Sequence, residues 1–332
     1  MSTVAECLSG ITLGQPQAHN NLVLFPLISE ERVEPRYRLL DEALAQGCAR
    51  VTELSESGSV PELKFVNECD RPVLLLDGEE LVGAKQNRIL NLTVLAPAKK
   101  TIVIPVSCVE AGRWRAESAE FASANRTHYA AGRARKAAHV SESLRSTGSR
   151  CSDQGEVWAD ISEKAARMEA FSDTNAAAAL YETHQARLKE YIAAFSATDN
   201  QAGALFAING EVTGLDLFDS PATLKSMLPK LVQSYALDAI DAGDKASAPE
   251  MENAGKLIED TVNAVAERFP AVGEGEDLRL QGEQLSGGAL VVNDRIVHLC
   301  VFRLRERGNK GAGGWGTRLV AASQRRRGRA RE

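Results

Sequence analysis

The chain has 332 residues, of which 44% are hydrophobic and 25% charged, and its formal net charge is −6. This mixture is typical of a folded globular protein and excludes collagen-like, coiled-coil and disordered chains. The apolar runs are far shorter than the roughly 20 residues that span a bilayer. The N-terminal residues lack the basic and apolar regions of a signal peptide, so we expect a cytoplasmic protein with no membrane partner.

Cysteine and histidine usage bears on disulfides and metals. The six cysteines include no CxxC pair, and the five histidines form no HExxH or similar group. Without a secretion signal this pattern argues against a disulfide framework, and a zinc site needs paired ligands at short spacing. The sequence therefore predicts no disulfide framework and no metal site, and it indicates no particular cofactor.

The N-terminal half has the pattern of a β-rich region. A strand is predicted over residues 21–28 and a helix over 37–46. Apolar and β-branched runs then predict short strands at residues 50–54, 63–67, 72–76, 88–95 and 101–106. Residues 130–196 have helical spacing of their apolar side chains instead.

The C-terminal half combines hairpins and helices. Asn209-Gly210 predicts the turn of a hairpin over residues 204–218, because both turn positions need positive φ. Ser220 and Pro221 are suited to begin a helix that extends to about residue 242. A further helix is predicted over residues 251–269, and strands over 278–280 and 289–302.

The two hairpin segments resemble each other. Residues 203–218 (GALFAINGEVTGLDLF) and 288–302 (GALVVNDRIVHLCVF) share a GAL start, an Asn-Gly or Asn-Asp turn and a final Phe. Either hairpins converge on similar turns, or two related halves meet across one sheet. The element order predicts an α+β fold, a mixed β-sheet with a helical layer, in a single compact domain over residues 1–303.

The C-terminal tail, residues 304–332, is rich in glycine and arginine and ends in an RRRGRAR cluster. It has too few apolar residues to order itself, which predicts disorder. A basic arm that touches nucleic acid or an acidic partner is the other interpretation. Basic clusters alone are weak evidence, so the composition favours the disordered extension.

Polar residues cluster between positions 77 and 88, after the strand predicted at 72–76. In an extended segment the side chains alternate between two faces, one with Glu79, Lys85 and Asn87 and the other with Glu80, Gln86 and Arg88. Such a face can bind a phosphate or sugar hydroxyls, with a glutamate as acid or base. The other interpretation, which the residues alone favour, is a solvated hairpin whose charges block edge pairing.

Two more polar stretches follow. Arg145, with the exposed amides of a helix that starts near Asp153 and Gln154, would make an anion site, although Asp153 equally suits a simple N-cap. Cys108 precedes Arg113 and Trp114, which either stack on a ligand or pack in the fold. Because no partner histidine is identifiable, we expect Cys108 to be a half-buried residue that ends a strand and not a nucleophile.

Four segments, residues 76–91, 105–114, 140–158 and 214–239, resemble in order the motifs of an uncharacterised bacterial family, the ARG and rhodanese-phosphatase-superfamily-associated protein domain. The resemblance covers about residues 8–303, and the basic tail departs from the family pattern. The family name reflects gene association with domains that include ADP-ribosylglycohydrolases and rhodanese-like phosphatases. The resemblance thus implies work on ADP-ribose, nucleotides or phosphorylated products, by association and not from a site.

With that resemblance, the first two polar stretches predict a binding pocket. Lys85, Arg88 and Arg145 would hold an anion; Gln86, Asn87 and Gln154 would orient it; and Glu79, Glu80 or Asp153 would act as acid or base. The predicted function is binding or hydrolysis of a phosphate-bearing, nucleotide-like or ADP-ribose-like small molecule. The alternative is a non-enzymatic module that regulates or scaffolds a partner enzyme, for which an exposed apolar face on helix 221–242 together with no pocket near Lys85 would be evidence.

Overall fold

A computed structural model describes residues 3–31, 33–55, 58–245 and 251–304, so the predicted tail from residue 305 onward lies outside the described residues. The helices are α1 (Thr3–Ser9), α2 (Leu40–Ala45), α3 (Ala130–Thr147), α4 (Gln154–Arg167), α5 (Ala178–Thr183), α6 (Gln185–Ala194), α7 (Pro221–Ala242) and α8 (Met251–Val262). The strands of the first half are β1 (Ile11–Leu13), β2 (Gln17–His19), β3 (Leu22–Ser29), β4 (Arg38–Leu39), β5 (Ala49–Glu53), β6 (Glu62–Asn67), β7 (Val73–Leu75), β8 (Glu79–Gly83), β9 (Arg88–Leu90), β10 (Val94–Ala96), β11 (Lys100–Cys108) and β12 (Phe121–Thr127). Those of the second half are β13 (Gln201–Ile208), β14 (Glu211–Phe218), β15 (Val265–Pro270), β16 (Glu276–Gly282), β17 (Leu285–Val292) and β18 (Arg295–Arg303).

The largest sheet has nine strands in the order β1-β3-β13-β14-β18-β17-β16-β15, with β2 also paired to β3. The hairpin β13–β14 turns at Asn209-Gly210, as predicted. Strand β14 pairs antiparallel with β18, with Gly214 opposite Phe302. The two GAL hairpins therefore lie side by side and meet in one sheet.

Strands β4 to β12 form two smaller sheets. A six-stranded sheet has the order β12-β8-β9-β11-β6-β5, and a three-stranded sheet has the order β10-β7-β4. Strand β4 pairs parallel with β7, whereas β10 pairs antiparallel with β7. The α+β fold is confirmed. Among the described strands, parallel and antiparallel pairing occur together only in the three-stranded sheet.

Helices cover both faces of the nine-stranded sheet. Alternate residues of a strand point to opposite faces, so Leu24 and Phe206 lie in the core beneath α7, whereas Phe25 and Leu205 lie in the core beneath α1 and α8. Because both faces are buried, β3 and β13 are nearly continuous apolar runs in the sequence.

Helix α7 begins as predicted, with Pro221 at its first position and the Ser220 hydroxyl accepting the Ala222 N–H at 3.2 Å. Its apolar side chains, among them Leu224, Leu231 and Leu237, are buried. None of the helices in the described ranges combines the length and the apolarity needed to cross a membrane.

Three predicted elements are wrong in their bounds. The helix predicted over 251–269 ends at Val262, and Val265–Pro270 is the edge strand β15, because pairing with β16 overrides helical spacing. The helix predicted over 37–46 is reduced to α2, because Arg38 and Leu39 pair with β7. The strand predicted over 88–95 is two strands, β9 and β10, in different sheets.

One pair of cysteines departs from the expectation that the cysteines form no disulfide framework. Cys48 and Cys69 are joined by a disulfide with an S–S distance of 2.04 Å. Cys48 precedes β5 and Cys69 follows β6, and these strands pair antiparallel, which brings the two residues together. The other described cysteines, Cys7, Cys108, Cys151 and Cys300, are free thiols.

A buried arginine on α3 joins the small sheets to the large one. The Arg133 side chain is 0% exposed; its Nε donates to Asp77 at 3.1 Å and its Nη2 to Asp216 at 2.6 Å. Asp77 lies between β7 and β8, and Asp216 lies in β14. Lys136 Nζ also donates to Asp77, at 2.7 Å. Burial opposes ionisation of Asp216, but Arg133 and His298 outweigh it and lower its pKa to about 2.

Replacement of Asp216 by asparagine leaves part of the buried charge of Arg133 uncompensated. We expect Asp216→Asn to lower the free energy of unfolding by about 3 kcal/mol in urea titrations. Asp199→Asn, which neutralises an exposed aspartate, is the control, with an expected change below about 0.5 kcal/mol. Equal stability of the two variants would contradict a central role for the Arg133 ion pairs.

The same pair predicts a specific acid sensitivity. Because folding lowers the pKa of Asp216 from 3.8 to about 2, its stabilisation is complete above pH 3.8 and is lost as pH falls towards 2. The difference in unfolding free energy between the parent and Asp216→Asn should therefore shrink by about 2 kcal/mol over that range. Urea titrations of both proteins at stepwise lower pH measure this, and a constant difference would contradict the ion pair.

Candidate functional site

The turn between β8 and β9 and the first residue of β9 carry four of the predicted binding residues, Lys85 to Arg88. The chain leaves β8 through Gly83 and Ala84, which have φ of 119° and 41°. A Cβ on Gly83 would lie 2.5 Å from Ser118 Oγ, so glycine is required there by space as well as by φ. This turn brings Arg88 into β9, opposite Cys108 of β11.

Arg88 is the charged centre of the candidate site. Its side chain is completely buried, at 0% exposure. Nη1 donates to Gln86 Oε1 at 3.1 Å and to the Asn87 carbonyl at 3.4 Å. Among the described residues, Nε and Nη2 have no hydrogen-bond partner. Burial lowers the pKa of Arg88, although Cys108 and Glu53 partly oppose that effect.

The ion pair between Glu110 and Arg113 holds the turn in place. Glu110 Oε2 lies 2.7 Å from Arg113 Nη2 and accepts the Asn87 N–H at 3.1 Å. Burial would raise the pKa of Glu110, but hydrogen bonds from Arg113, the Asn87 N–H and Thr174 lower it, so the carboxylate is ionised. Gln86 Nε2 donates to the Glu110 carbonyl at 2.9 Å. Gln86 and Asn87 are therefore fixed by the loop that follows β11.

Gln154 brings the second predicted stretch to the same place. Its Oε1 accepts the Cys108 N–H at 2.8 Å, and its Nε2 donates to the Cys108 carbonyl at 2.8 Å. The first residue of α4 is thereby locked onto β11, next to the strand that carries Arg88. We call the group formed by Lys85, Gln86, Asn87, Arg88, Cys108, Glu110, Arg113, Trp114 and Gln154 the Arg88 site.

Trp114 forms the outer wall of the Arg88 site. Its side chain is 50% exposed, and its ring centroid lies 5.3 Å from Lys85 Nζ and 5.9 Å from Arg88 Cζ. Both cations thus lie within the range of a cation–π contact with the indole. An exposed aromatic ring beside two cations can receive the flat ring of a ligand next to an anionic group.

Cys108 lies inside the site as a thiol. Burial raises the pKa of Cys108. A hydrogen bond with the Glu110 backbone and the charge of Arg88 lower it, but only in part. The residue is fully buried at the end of β11, not half-buried as predicted, because α4 packs over it. A protonated, enclosed thiol is a poor nucleophile, in agreement with the expectation from the sequence.

The other four predicted site residues lie elsewhere. Glu79 accepts the Leu76 N–H at 2.8 Å and Lys230 Nζ at 2.6 Å. Glu80 forms a bidentate pair with Arg126 at 2.7 and 2.8 Å. Asp153 caps α4 by accepting the Glu156 N–H at 3.1 Å, and Arg145 pairs with Glu267 at the surface. These contacts hold structural elements together and do not bring the four residues to the Arg88 site.

Four residues of the Arg88 site were considered in the sequence analysis as a separate polar stretch and were not predicted to bind the ligand. Cys108, Glu110, Arg113 and Trp114 form a polar stretch directly after an apolar strand, a pattern that is visible in the sequence. Their proximity to Arg88 depends on the pairing of β9 with β11, which one sequence does not reveal. Glu53, whose Oε1 accepts the Lys85 N–H at 3.4 Å, gave no signal at all.

One group of side chains among the described residues has the composition of a metal site. The ligand atoms of Asp216, His298 and Cys300 lie within 4.8 Å of one another. Both Asp216 oxygens, however, accept hydrogen bonds from Arg133, and His298 Nδ1 bonds with Thr93 at 2.8 Å. A cation there would meet a guanidinium, so the arrangement is that of an ion-pair network.

Comparison with known proteins identifies the family. No curated protein and no solved structure matches the chain. A family model, described as the ARG and Rhodanese-Phosphatase-superfamily-associated Protein domain, matches residues 10–302. That name records an association with another protein superfamily and states no ligand or reaction. The match confirms the resemblance found in the sequence, and the chain belongs to the ARG and Rhodanese-Phosphatase-superfamily-associated Protein domain family.

Proposed function

We propose that this protein binds a phosphate-bearing small molecule, nucleotide-like or ADP-ribose-like, at the Arg88 site. The observation that carries the proposal is the completely buried Arg88 guanidinium, whose Nε and Nη2 have no partner among the described residues. An unsatisfied buried charge is costly unless a ligand supplies the missing acceptor. Nε–H and Nη2–H lie on one edge of the guanidinium and suit a bidentate bond to an oxyanion.

The neighbours of Arg88 favour a ligand with an aromatic part as well as a phosphate. Trp114 offers a half-exposed indole next to Lys85 and Arg88. Stacking on such a ring suits every nucleobase, because each base has a π face. Because the guanidinium is completely buried, in this proposal the residues that cover it move aside before the phosphate reaches Arg88.

The geometry supports binding better than hydrolysis. Two of the three predicted acid or base residues, Glu79 and Glu80, are engaged by Lys230 and Arg126, and the third, Asp153, caps α4. Within the site, Glu110 is held by Arg113, and burial keeps the Cys108 thiol protonated. The described side chains of the Arg88 site thus supply hydrogen-bond donors and an aromatic surface, and they supply no poised acid, base or nucleophile.

The alternative, a non-enzymatic module that regulates a partner enzyme, required an exposed apolar face on the helix over residues 221–242 together with no pocket near Lys85. That face is buried in α7. The association recorded in the family name leaves a protein partner as a proposal, and α7 offers no exposed apolar face to carry it. Ligand binding at Arg88 is therefore the proposal that the contacts support.

The role of Arg88 can be tested by measuring protein stability and ligand binding separately. Replacing a buried, incompletely satisfied charge by an apolar residue of similar length often leaves stability unchanged or raises it. We expect Arg88→Met to keep the unfolding free energy of the ligand-free protein within about 1 kcal/mol of the parent, or above it. The same change should weaken nucleotide binding about 10-fold or more in calorimetric titrations, because charged hydrogen bonds are lost.

The control for Arg88→Met is Arg113→Met, which breaks the Glu110 ion pair. Since Arg113 is paired, its loss should destabilise the fold by about 3 kcal/mol, as expected when one partner of a buried pair is removed. A large loss of stability in Arg88→Met with unchanged ligand affinity would show that Arg88 is structural and would contradict the proposal.

The outer wall gives a second test. The probes are inorganic phosphate, ribose 5-phosphate, AMP, ADP and ADP-ribose, with adenosine as the phosphate-free control, in thermal-shift assays and calorimetry. Lys85→Ala should weaken the binding of every phosphate-bearing probe about 10-fold. Trp114→Ala should weaken the binding of AMP, ADP and ADP-ribose by a factor corresponding to about 1–3 kcal/mol, and it should leave the binding of ribose 5-phosphate unchanged.

Lys225→Ala, which removes an exposed lysine of α7, is the matched control and should bind every probe as the parent does. If no probe raises the melting temperature of the parent protein, the proposed function is wrong, because a ligand that binds the native state stabilises it. Equal binding by the parent, Lys85→Ala and Trp114→Ala would place the ligand elsewhere on the protein.

A further inference from the structure

The disulfide between Cys48 and Cys69 lies at the open end of the β5–β6 hairpin. The connecting residues 54–61 join the two strands at one end, and the cysteines lie at the other, where Ala49 is opposite Asn67. The cysteines are 21 residues apart in the chain, with a Cα–Cα distance of 4.9 Å. With the disulfide intact, β5 is therefore tied covalently to β6 at both ends, and without it only at one.

Strand β5 is the element that this link holds. It is the terminal strand of the six-stranded sheet and, among the described strands, it pairs only with β6. Its inner side chains, Ala49 and Val51, are buried. A terminal strand has ladder hydrogen bonds on one side only, so it opens more readily than a central strand. The covalent link thus acts at the start of a strand that its backbone holds from one side.

The two sulfur atoms differ in their access to solvent. Cys48 is half-buried, whereas Cys69 is only 3% exposed. A thiolate from solution therefore reaches the sulfur of Cys48 more readily than that of Cys69. Because thiol–disulfide exchange depends on which sulfur is attacked and on access to it, Cys48 is the point of attack and Cys69 the leaving group.

Backbone contacts hold both cysteines in place independently of the S–S bond. The Cys48 N–H donates to the Ala43 carbonyl at 3.1 Å, and the Cys48 carbonyl accepts the Glu68 N–H at 2.7 Å. The Cys69 N–H donates to Asn67 Oδ1 at 2.9 Å. Asn67 is itself fixed, because its Nδ2 lies 2.9–3.2 Å from three backbone carbonyls. The two cysteines therefore stay adjacent after reduction, and the bond can form again within the folded chain.

We propose that Cys48 and Cys69 form a reversible redox pair whose oxidation state sets how firmly β5 is held on the six-stranded sheet. The reductant is a dithiol. One of its thiolates attacks Cys48 Sγ, the S–S bond breaks, and the Cys69 sulfur leaves with the electron pair and takes a proton. The second thiolate of the reductant then attacks the reductant's own sulfur in the mixed disulfide and releases Cys48, which also takes a proton. The pair has gained two electrons and two protons, and the dithiol has become a disulfide.

The strand held by this pair also contacts the Arg88 site. β5 ends at Glu53, whose Oε1 accepts the Lys85 N–H at 3.4 Å. The redox pair nevertheless needs no ligand at that site. The proposal therefore does not depend on the proposed function, and its tests use the ligand-free chain, so the failure of one is distinguishable from the failure of the other.

The first experiment is a redox titration of the full chain, without denaturant, in buffers with increasing ratios of reduced to oxidised dithiothreitol. Alkylation of free thiols followed by peptide mass spectrometry reports the state of each cysteine. We expect Cys48 and Cys69 to change together in one reversible two-electron step, while the circular dichroism spectrum stays native. Three outcomes would each overturn the proposal: no disulfide between the two cysteines in the oxidising buffers, a disulfide that resists reduction in the folded chain, or loss of the fold on reduction.

Hydrogen exchange measured by mass spectrometry tests the effect on β5. Amides of β5 should exchange about 10-fold faster or more in the reduced chain than in the oxidised chain, because the strand is then tied at one end only. Peptides from β13, a central strand of the nine-stranded sheet, are the control and should stay protected in both states over the same period. Equal exchange of β5 in the two states would show that the link does not hold the strand, which the proposal forbids.

Cysteine variants assign the response to this pair. Cys48→Ser should melt about 5 °C below the oxidised parent, and dithiothreitol should leave its melting temperature unchanged. Cys151→Ser, which replaces a half-buried cysteine outside the pair, is the matched control. Dithiothreitol should lower the melting temperature of Cys151→Ser as much as that of the parent. A dithiothreitol effect retained in Cys48→Ser, or lost in Cys151→Ser, would assign the response to other cysteines and overturn the proposal.

Oxidised glutathione tests the direction of attack. In Cys69→Ser, the remaining Cys48 should form a mixed disulfide with glutathione about 10-fold faster or more than Cys69 does in Cys48→Ser, because Cys69 is almost fully enclosed. Peptide mass spectrometry measures both rates. Equal rates, or a faster reaction at Cys69, would overturn the assignment of Cys48 as the point of attack.

Discussion

The ion pairs of Arg133 are the constraint on which the rest of the structure depends. The charge of its completely buried guanidinium is compensated by Asp77, which lies between β7 and β8 of the small sheets, and by Asp216, which lies in β14 of the nine-stranded sheet. This compensation fixes α3 between the small sheets and the nine-stranded sheet. The same helix carries Lys136, which also pairs with Asp77, and Arg135, which pairs with Asp160 of α4. The position of α4 therefore depends in part on where α3 is anchored.

Arg88 shows the opposite arrangement of the same side chain. It is as buried as Arg133, but only one of its three nitrogens has partners among the described residues. The difference lies in the neighbourhood, since Glu110, a carboxylate of the same site, is already held by Arg113. A saturated buried arginine stabilises a fold, whereas an unsaturated one retains hydrogen-bonding capacity for a ligand. This contrast is the physical basis for proposing ligand binding at Arg88 and not at Arg133.

Strand β9 separates two polar regions with different chemistry. On one face Arg88 meets Trp114 and Lys85, a combination that suits a phosphate joined to a flat ring. On the other face Ile89 borders a group of polar side chains between α3 and α4 that includes His128, Arg135 and Asp160. Helix α4 contacts both regions, through Gln154 on the first and Asp160 on the second. A movement of α4 would therefore affect both regions.

The sequence by itself determined the α+β class, the Asn209-Gly210 hairpin, the start of α7 and the family, because local turn chemistry, caps and ordered motifs are written in neighbouring residues. It placed Lys85, Gln86, Asn87, Arg88 and Gln154 among the candidate residues, and whether they bind a ligand stays a prediction. Only the tertiary structure decided that Glu79, Glu80, Asp153 and Arg145 lie apart from them, that β15 is a strand, and that Cys48 meets Cys69. Those outcomes depend on which strands pair and on which charge reaches a buried partner. Such contacts join residues far apart in the chain, and the spacing of neighbouring residues does not predict them.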